Sequence, residues 1–194
     1  MHTLTGVILA GGKGLRMNGK DKGLILLHGK PMYQHIIQKL EPQVDNIIIS
    51  ANRNINIYKL SGYEVIKDSF RDVLGPLCGI LSTLLLIKSN WAVFCSCDTP
   101  NIPLNYVKKL LEKKNDSQIL WVRSKKRDHP TMVLIQKKIV ELYMNKPKHF
   151  NQYNLIDFFK SYGGHPVYFV DNEFLFYNIN TPLDLKNYLH LNLS

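Results

Sequence analysis

Thr5-Gly6-Val7-Ile8-Leu9-Ala10-Gly11-Gly12-Lys13-Gly14-Leu15-Arg16-Met17, followed shortly by Asp21-Lys22-Gly23, is the stretch on which the fold turns. Residues 5–10 form a short run rich in β-formers that stops at a glycine pair, which predicts a strand ending in a loop. Glycines placed there let backbone amides approach a phosphate chain closely, and Arg16 and Lys22 add countercharge. A plain strand-to-helix turn accounts for two adjacent glycines, but not for glycines, arginine and lysine gathered on one loop. Two better-known phosphate loops are excluded by their letters. The dinucleotide fingerprint needs a third glycine where Met17 stands, and the P-loop pattern begun by Gly14, Gly19 and Lys20 has Asp21 in place of its metal-binding hydroxyl.

Outward from this loop, strands and helices alternate. Behind Pro31, the residues Ile36, Ile37 and Leu40 recur at helical spacing from Met32 until Pro42 closes the segment. Strands are predicted over 46–50, 64–66 and 91–97, with a helix over 79–88 that turns Ile80, Leu84 and Ile87 inward. In the second half, 103–111, 138–144 and 155–162 read as helices, 119–122 and 131–135 as strands, and 147–153 as a surface loop. The alternation argues for an α/β chain with a mostly parallel, doubly wound sheet. No repeat or long linker divides the 194 residues, so one domain over 1–194 is expected.

Composition narrows the class without choosing the function. Three cysteines with no C-x-x-C spacing point to a reducing compartment, and Cys95 and Cys97 read as small core residues on one strand face. No apolar run has the length of a membrane span and no signal segment precedes the first strand, so a cytoplasmic protein without membrane attachment is expected. The net charge of +10 suits a polyanionic partner of any kind. Its lysines are scattered, however, and the cluster Lys125-Lys126-Arg127 has no interleaved aromatics, which argues against a nucleic-acid partner.

Asp98 follows directly on the apolar run 91–97 and so belongs at the carboxyl end of a buried strand, where open α/β sheets place their ligand crevice. Capping a helix is its other reading, because Pro100 follows. Asp68 similarly follows the strand 64–66, with a turn role as the alternative. Asn178 and Asn180 flank Ile179 in an extended stretch, so both amides point to one side. His129 reads as a binding residue at most, and the seven histidines show no metal-ligand spacing.

Taken together, these fragments resemble a known family. Leu9-Ala10-Gly11-Gly12-x-x-x-Arg16-Met17 with Asp21-Lys22 is similar to the signature of the nucleotidyltransferase superfamily. Asp68 with Gly75-Pro76-Leu77-Cys78-Gly79, then Cys97-Asp98-Thr99-Pro100, Arg127-Asp128-His129-Pro130-Thr131 and Asn178-Ile179-Asn180-Thr181-Pro182, follow in the order found in molybdenum cofactor guanylyltransferases. Each fragment is weak alone, but their joint order spans nearly the whole chain. The resemblance implies a three-layer α/β fold of the Rossmann-like nucleotide-diphospho-sugar transferase type, with a mainly parallel central sheet. It implies transfer of GMP from GTP to the terminal phosphate of molybdopterin, with Mg²⁺ as cofactor and a monomer served by cofactor-delivery proteins.

The same resemblance assigns roles. Leu9, Ala10, Gly11, Gly12, Gly14, Arg16, Lys22, Ser50, Asp68, Gly75 and Asp98 would bind the nucleotide, with Arg16, Lys22 and Asp98 catalytic and Asp98 the metal ligand. Arg127, His129, Asn178 and Asn180 would serve the pterin. One departure stands out: Ser50 occupies a position where the family often has a nucleotide-contacting asparagine, which leaves GTP-over-CTP preference open. A cytidylyl- or sugar-phosphate nucleotidyltransferase is the alternative within the superfamily, and a basic nucleic-acid-binding module the alternative outside it.

Overall fold

The computed structural model describes residues 3–12, 14–70, 73, 75–145, 154–170 and 173–191. The surface loop expected over 147–153 lies outside them, as does Lys13. In chain order the elements are β1 (Leu4–Leu9), β2 (Leu26–Leu27), β3 (Lys30–Pro31), α1 (Met32–Leu40), β4 (Asn46–Ser50), α2 (Ile55–Lys59), β5 (Glu64–Ile66), α3 (Pro76–Leu86), β6 (Trp91–Ser96), α4 (Tyr106–Glu112), β7 (Ile119–Ser124), β8 (Asp128–Gln136), α5 (Lys138–Met144), α6 (Leu155–Ser161), β9 (His165–Phe169) and α7 (Pro182–Leu191).

Seven strands form one sheet in the order β5-β4-β1-β6-β8-β7-β9, and β2 pairs with β3 in a separate ribbon. Every neighbouring pair in the large sheet is parallel except the two made by β8, which runs against β6 and β7. Because side chains alternate across a strand, each central strand feeds two cores. Leu4 and Ile8 of β1, Ile47 and Ile49 of β4, and Trp91, Val93 and Cys95 of β6 pack against Ile36 and Leu40 of α1, Tyr58 of α2 and Tyr106 and Leu110 of α4. Val7, Ile48, Ala92 and Phe94 face the other way, toward Ile80, Leu81 and Leu84 of α3, Ile139 and Val140 of α5, and Phe158 and Phe159 of α6. Each fully buried Ile or Phe contributes roughly 1.5–3 kcal/mol, so two such faces fix the register of the sheet firmly.

The chain leaves β1 through α1 to reach β4 on one side, and later returns through α3 to reach β6 on the other. Strand order therefore reverses at β1, and the carboxyl ends of β1, β4 and β6 border the crevice where such sheets bind ligands. Cys95 and Cys97 are buried in the first core, as their placement on one strand face predicted, and burial pushes both thiols above their usual range. No helix among the described residues is long and apolar enough to cross a membrane.

Several boundaries differ from expectation. α3 begins at Pro76, three residues before the predicted start, because Gly75-Pro76 opens the helix and the buried Gly79 lies within it. β8 begins at Asp128, before the expected 131, and a register break opposite Trp121 and Val122 pairs Trp121 with Val133 and Val122 with His129. Residues 130–132 are thereby looped out of the ladder.

Candidate active site

A cavity of about 660 Å³ opens at the strand reversal, a size suited to a nucleotide-like ligand. Its wall is built from loop residues that follow the strands. Leu9, Ala10, Gly11, Gly12, Gly14, Arg16 and Lys22 come from the stretch after β1, Ser50 and Asn52 from the end of β4, Asp68 from beyond β5, and Ser96, Cys97 and Asp98 from the end of β6. Gly75, Cys78 and Gly79 at the start of α3, Thr131 from the looped-out part of β8, and Asn178 also contribute to it.

The loop after β1 is tightly wound. Gly14, Asn18 and Gly19 all take left-handed backbone angles, with φ of 65°, 54° and 77°. A side chain at Gly14 would also meet the Lys20 carbonyl oxygen at 2.0 Å, so only glycine fits there. Met17 N and Gly19 N both donate to the Gly14 carbonyl, at 2.9 and 3.0 Å. Inward turning of these amides leaves the exposed Arg16 at the cavity rim. The next turn is capped by Asp21, whose buried carboxylate accepts from Gly23 N, and it delivers Lys22 into the site.

Lys22 and Asp98 meet there. The Lys22 ammonium lies 3.2 Å from Asp98 Oδ2 and also donates to Asn180 Oδ1, while Asn178 Nδ2 donates to Asp98 Oδ1 at 3.2 Å. Thr99 Oγ1 donates to the same oxygen at 3.3 Å. The segment carrying the two asparagines is pinned by Ile179, which is fully buried and whose N–H donates to the Asp98 carbonyl at 2.8 Å. Arg127 extends the chain outward by donating from Nη2 to Asn178 Oδ1 at 2.7 Å. The predicted one-sided projection of Asn178 and Asn180 is thus what the structure has, and both converge on the Lys22–Asp98 pair. Among the described residues no group of three or more His, Cys, Asp or Glu side chains is placed to hold a metal ion by itself. A metal in this corner would rest on Asp98, with its remaining oxygens drawn from phosphates.

On the other flank, Asn52 and Asp68 hold each other. Asn52 Nδ2 donates to Asp68 Oδ2 at 2.7 Å, and Asp68 N donates back to Asn52 Oδ1 at 3.0 Å. That leaves Asp68 Oδ1 buried and without a hydrogen-bond partner, an acceptor at the cavity wall. Ser50 lies nearby, buried in the wall. A Cβ at Gly79 would sit 2.8 Å from Ser50 Oγ and 3.4 Å from Asp68 Oδ1, so the bare helix backbone is what keeps this end of the cavity open.

Of the residues picked from sequence, Arg127, Asn180 and His129 lie off the cavity wall. Arg127 and Asn180 are linked to it through Asn178 and Lys22. His129 is not: it is buried against the Phe176 ring with a 3.1 Å hydrogen bond to Ser124 Oγ. Burial first, and then the nearby Arg127 charge, push its pKa down to about 4. Asn52 and Thr131 are wall residues that sequence reasoning passed over. The signal for Asn52 was its place two residues beyond Ser50 on the same side of an extended chain, and for Thr131 its inclusion in the Arg127-to-Thr131 fragment.

Residues 6–169 match the model of the MobA-like NTP transferase domain. A Yersinia pestis molybdenum cofactor guanylyltransferase is 39% identical over 185 residues, covering 93% of this chain and 92% of that protein. Among solved structures, the molybdopterin-guanine dinucleotide biosynthesis protein A of Archaeoglobus fulgidus superposes with a TM-score of 0.74 at 21% identity, over 97% of this chain and 98% of that one. A CMP:2-keto-3-deoxy-manno-octonic acid synthetase solved with CTP superposes with a TM-score of 0.78 at 14% identity, over 98% of both chains, a likeness of fold.

Proposed function

The chain belongs to the MobA-like NTP transferase family, and on that premise we propose that it transfers GMP from GTP to the terminal phosphate of molybdopterin, releasing pyrophosphate. One observation carries the reading: a glycine-rich anion loop, a lysine–carboxylate pair and a free buried acceptor converge on a single cavity large enough for a nucleoside triphosphate. The 39% identity to a molybdenum cofactor guanylyltransferase supports the choice of substrates.

In this reaction a phosphate attacks the α-phosphate of another polyanion. Charge repulsion and alignment are therefore the main obstacles, and proton removal is not. The amides of Gly11, Gly12 and Gly14 and the Arg16 guanidinium hold the triphosphate. Lys22 sits between that loop and Asp98, where its ammonium offsets charge on the transferring group. The free Asp68 oxygen accepts from the base, held in place by Asn52. Guanine offers two adjacent N–H groups on its pairing edge, which suits a carboxylate acceptor. Asn178, oriented by Arg127, lines the acceptor end.

The corner at Asp98 fits Mg²⁺, because Asp98 Oδ2 and Asn180 Oδ1 already converge on a cation, the Lys22 ammonium. When bound there, Mg²⁺ supplies charge neutralisation across the phosphates as a hard, oxygen-seeking ion. Asp98 would hold it, with Asn178 and Thr99 fixing the carboxylate.

The test is incubation with Mg²⁺, a molybdopterin acceptor and GTP, CTP or ATP in turn, following pyrophosphate release. Acceptor-dependent release with GTP well above the others is the expected result. Equal or greater release with CTP would move the assignment to a cytidylyltransferase.

A further inference from the structure

The phosphate loop is gripped from behind by a residue with no part in the scheme above. Arg53 stands in the turn between β4 and α2, next to Asn52, and is not part of the cavity wall. Its Nη1 donates to the Gly19 carbonyl at 2.9 Å and its Nη2 to the Lys20 carbonyl at 3.0 Å. Its Nε lies 3.9 Å from Asp21 Oδ2. That carboxylate is itself fixed, accepting from Tyr58 Oη at 2.7 Å, Asn54 Nδ2 at 2.9 Å and Gly23 N at 3.2 Å. The fork is packed against the loop so closely that a Cβ on Gly14 would come within 2.8 Å of Arg53 Nη2.

A loop with left-handed angles at Gly14, Asn18 and Gly19 has many alternative conformations when unrestrained. Carbonyl oxygens of such a loop would repel a polyanion if they turned inward. Arg53 removes two of them from the cavity side by holding them outward, and a planar guanidinium is the side chain whose geometry matches two convergent acceptors. The neighbouring Asn52 reaches the opposite way, to Asp68. Two consecutive residues thus brace the two ends of one cavity.

We propose that Arg53 is a positioning residue for nucleotide binding, holding the Gly14-to-Lys20 loop in its anion-accepting shape without touching the ligand. This rests on reading that loop as the triphosphate grip, but not on which base is used. The test measures affinity for inorganic tripolyphosphate and for GTP in the wild type, Arg53→Ala and Arg53→Lys, after thermal unfolding has confirmed that each variant folds. Arg53→Ala should weaken both ligands by the same factor, about tenfold or more for two lost charge-assisted hydrogen bonds. Free guanidinium well below denaturing concentration should restore part of the loss. Arg53→Lys should recover little, because an ammonium is a point charge and not a fork, and it serves as the test if the alanine variant does not fold.

Wild-type tripolyphosphate affinity in either folded variant would overturn the proposal. So would a loss confined to GTP, which would mean that Arg53 acts through Asn52 on the base. A wild type that binds tripolyphosphate but prefers CTP would overturn the guanylyl reading and leave the role of Arg53 standing. No tripolyphosphate binding by the wild type would remove both.

Discussion

Asp98 holds together groups of opposite needs: its Oδ2 faces an ammonium and its Oδ1 accepts from an amide and a hydroxyl. In Asp98→Asn the new amide cannot satisfy Lys22, Asn178 and a metal at once, and the negative charge is gone. The site lies at the end of β6 and not within its packed stretch, so the variant should fold. Turnover should fall by about 10² or more, the scale seen when a transition-state charge contact is lost. Pyrophosphate release across a Mg²⁺ titration checks this, and unchanged turnover at limiting Mg²⁺ would take Asp98 out of the metal site. Ser50 makes a subtler case. Its hydroxyl is enclosed beneath Gly79, and the unpartnered acceptor on this flank is Asp68. GTP should therefore remain preferred over CTP and ATP, and Ser50→Asn should be neutral or sharpen that preference by less than about tenfold, the worth of one hydrogen bond. Side-by-side kcat/KM values for the three nucleotides decide it, and a collapse of selectivity in Ser50→Asn would contradict it.

At the scale of elements, the segment between β9 and α7 shows how a small satellite core serves catalysis. Ile179 packs fully buried with Leu27, Met32 and Tyr188, and so carries the asparagines on either side of it into the Lys22–Asp98 corner. Ile179→Ala should cost about 2–4 kcal/mol in denaturant unfolding, and kcat should fall further than partial unfolding explains because both amides lose their anchor. An activity loss no greater than the unfolded fraction would refute this coupling. The same scale shows what the sequence made legible. Strands β1, β4 and β6 were readable because their apolar runs are continuous and end at polar or glycine punctuation. The phosphate loop and Asp98 were readable because each is local to a strand end. What stayed hidden depends on contacts distant in the chain. The α2 helix has five residues and starts from a left-handed Asn54 with no side-chain cap, so no local signal announces it. β9 begins His165-Pro166, and its pairing with β7 comes from tertiary context. The Asn52–Asp68 clasp needs β4 and β5 paired before the two side chains can meet, and no spacing rule encodes that.

For the whole molecule, the most exposed physical consequence is how stability responds to acid. His129 is held neutral by burial on β8 against the Phe176 ring, with Arg127 adding to the depression while Glu173, Asp128 and Asp98 oppose it. Its pKa is about 4 when folded against its usual 6.5, so between those values the unfolded chain binds a proton that the folded one does not. Stability tied to this group is therefore complete above the unfolded value and is lost as pH falls through the window toward the folded value. The contribution should be on the order of 2–3 kcal/mol between pH of about 7.5 and 4.5. Carboxylates also begin to titrate there, so the comparison has to be with a variant that lacks only this proton site. His129→Gln keeps a side chain able to bond Ser124 and does not titrate. Urea unfolding of both proteins across the window should show the wild type losing stability faster as pH falls, with the gap between them closing or reversing near pH 4.5. Parallel curves would mean that His129 takes up its proton in the native state at little cost, and that the contact with Ser124 and Phe176 tolerates an imidazolium.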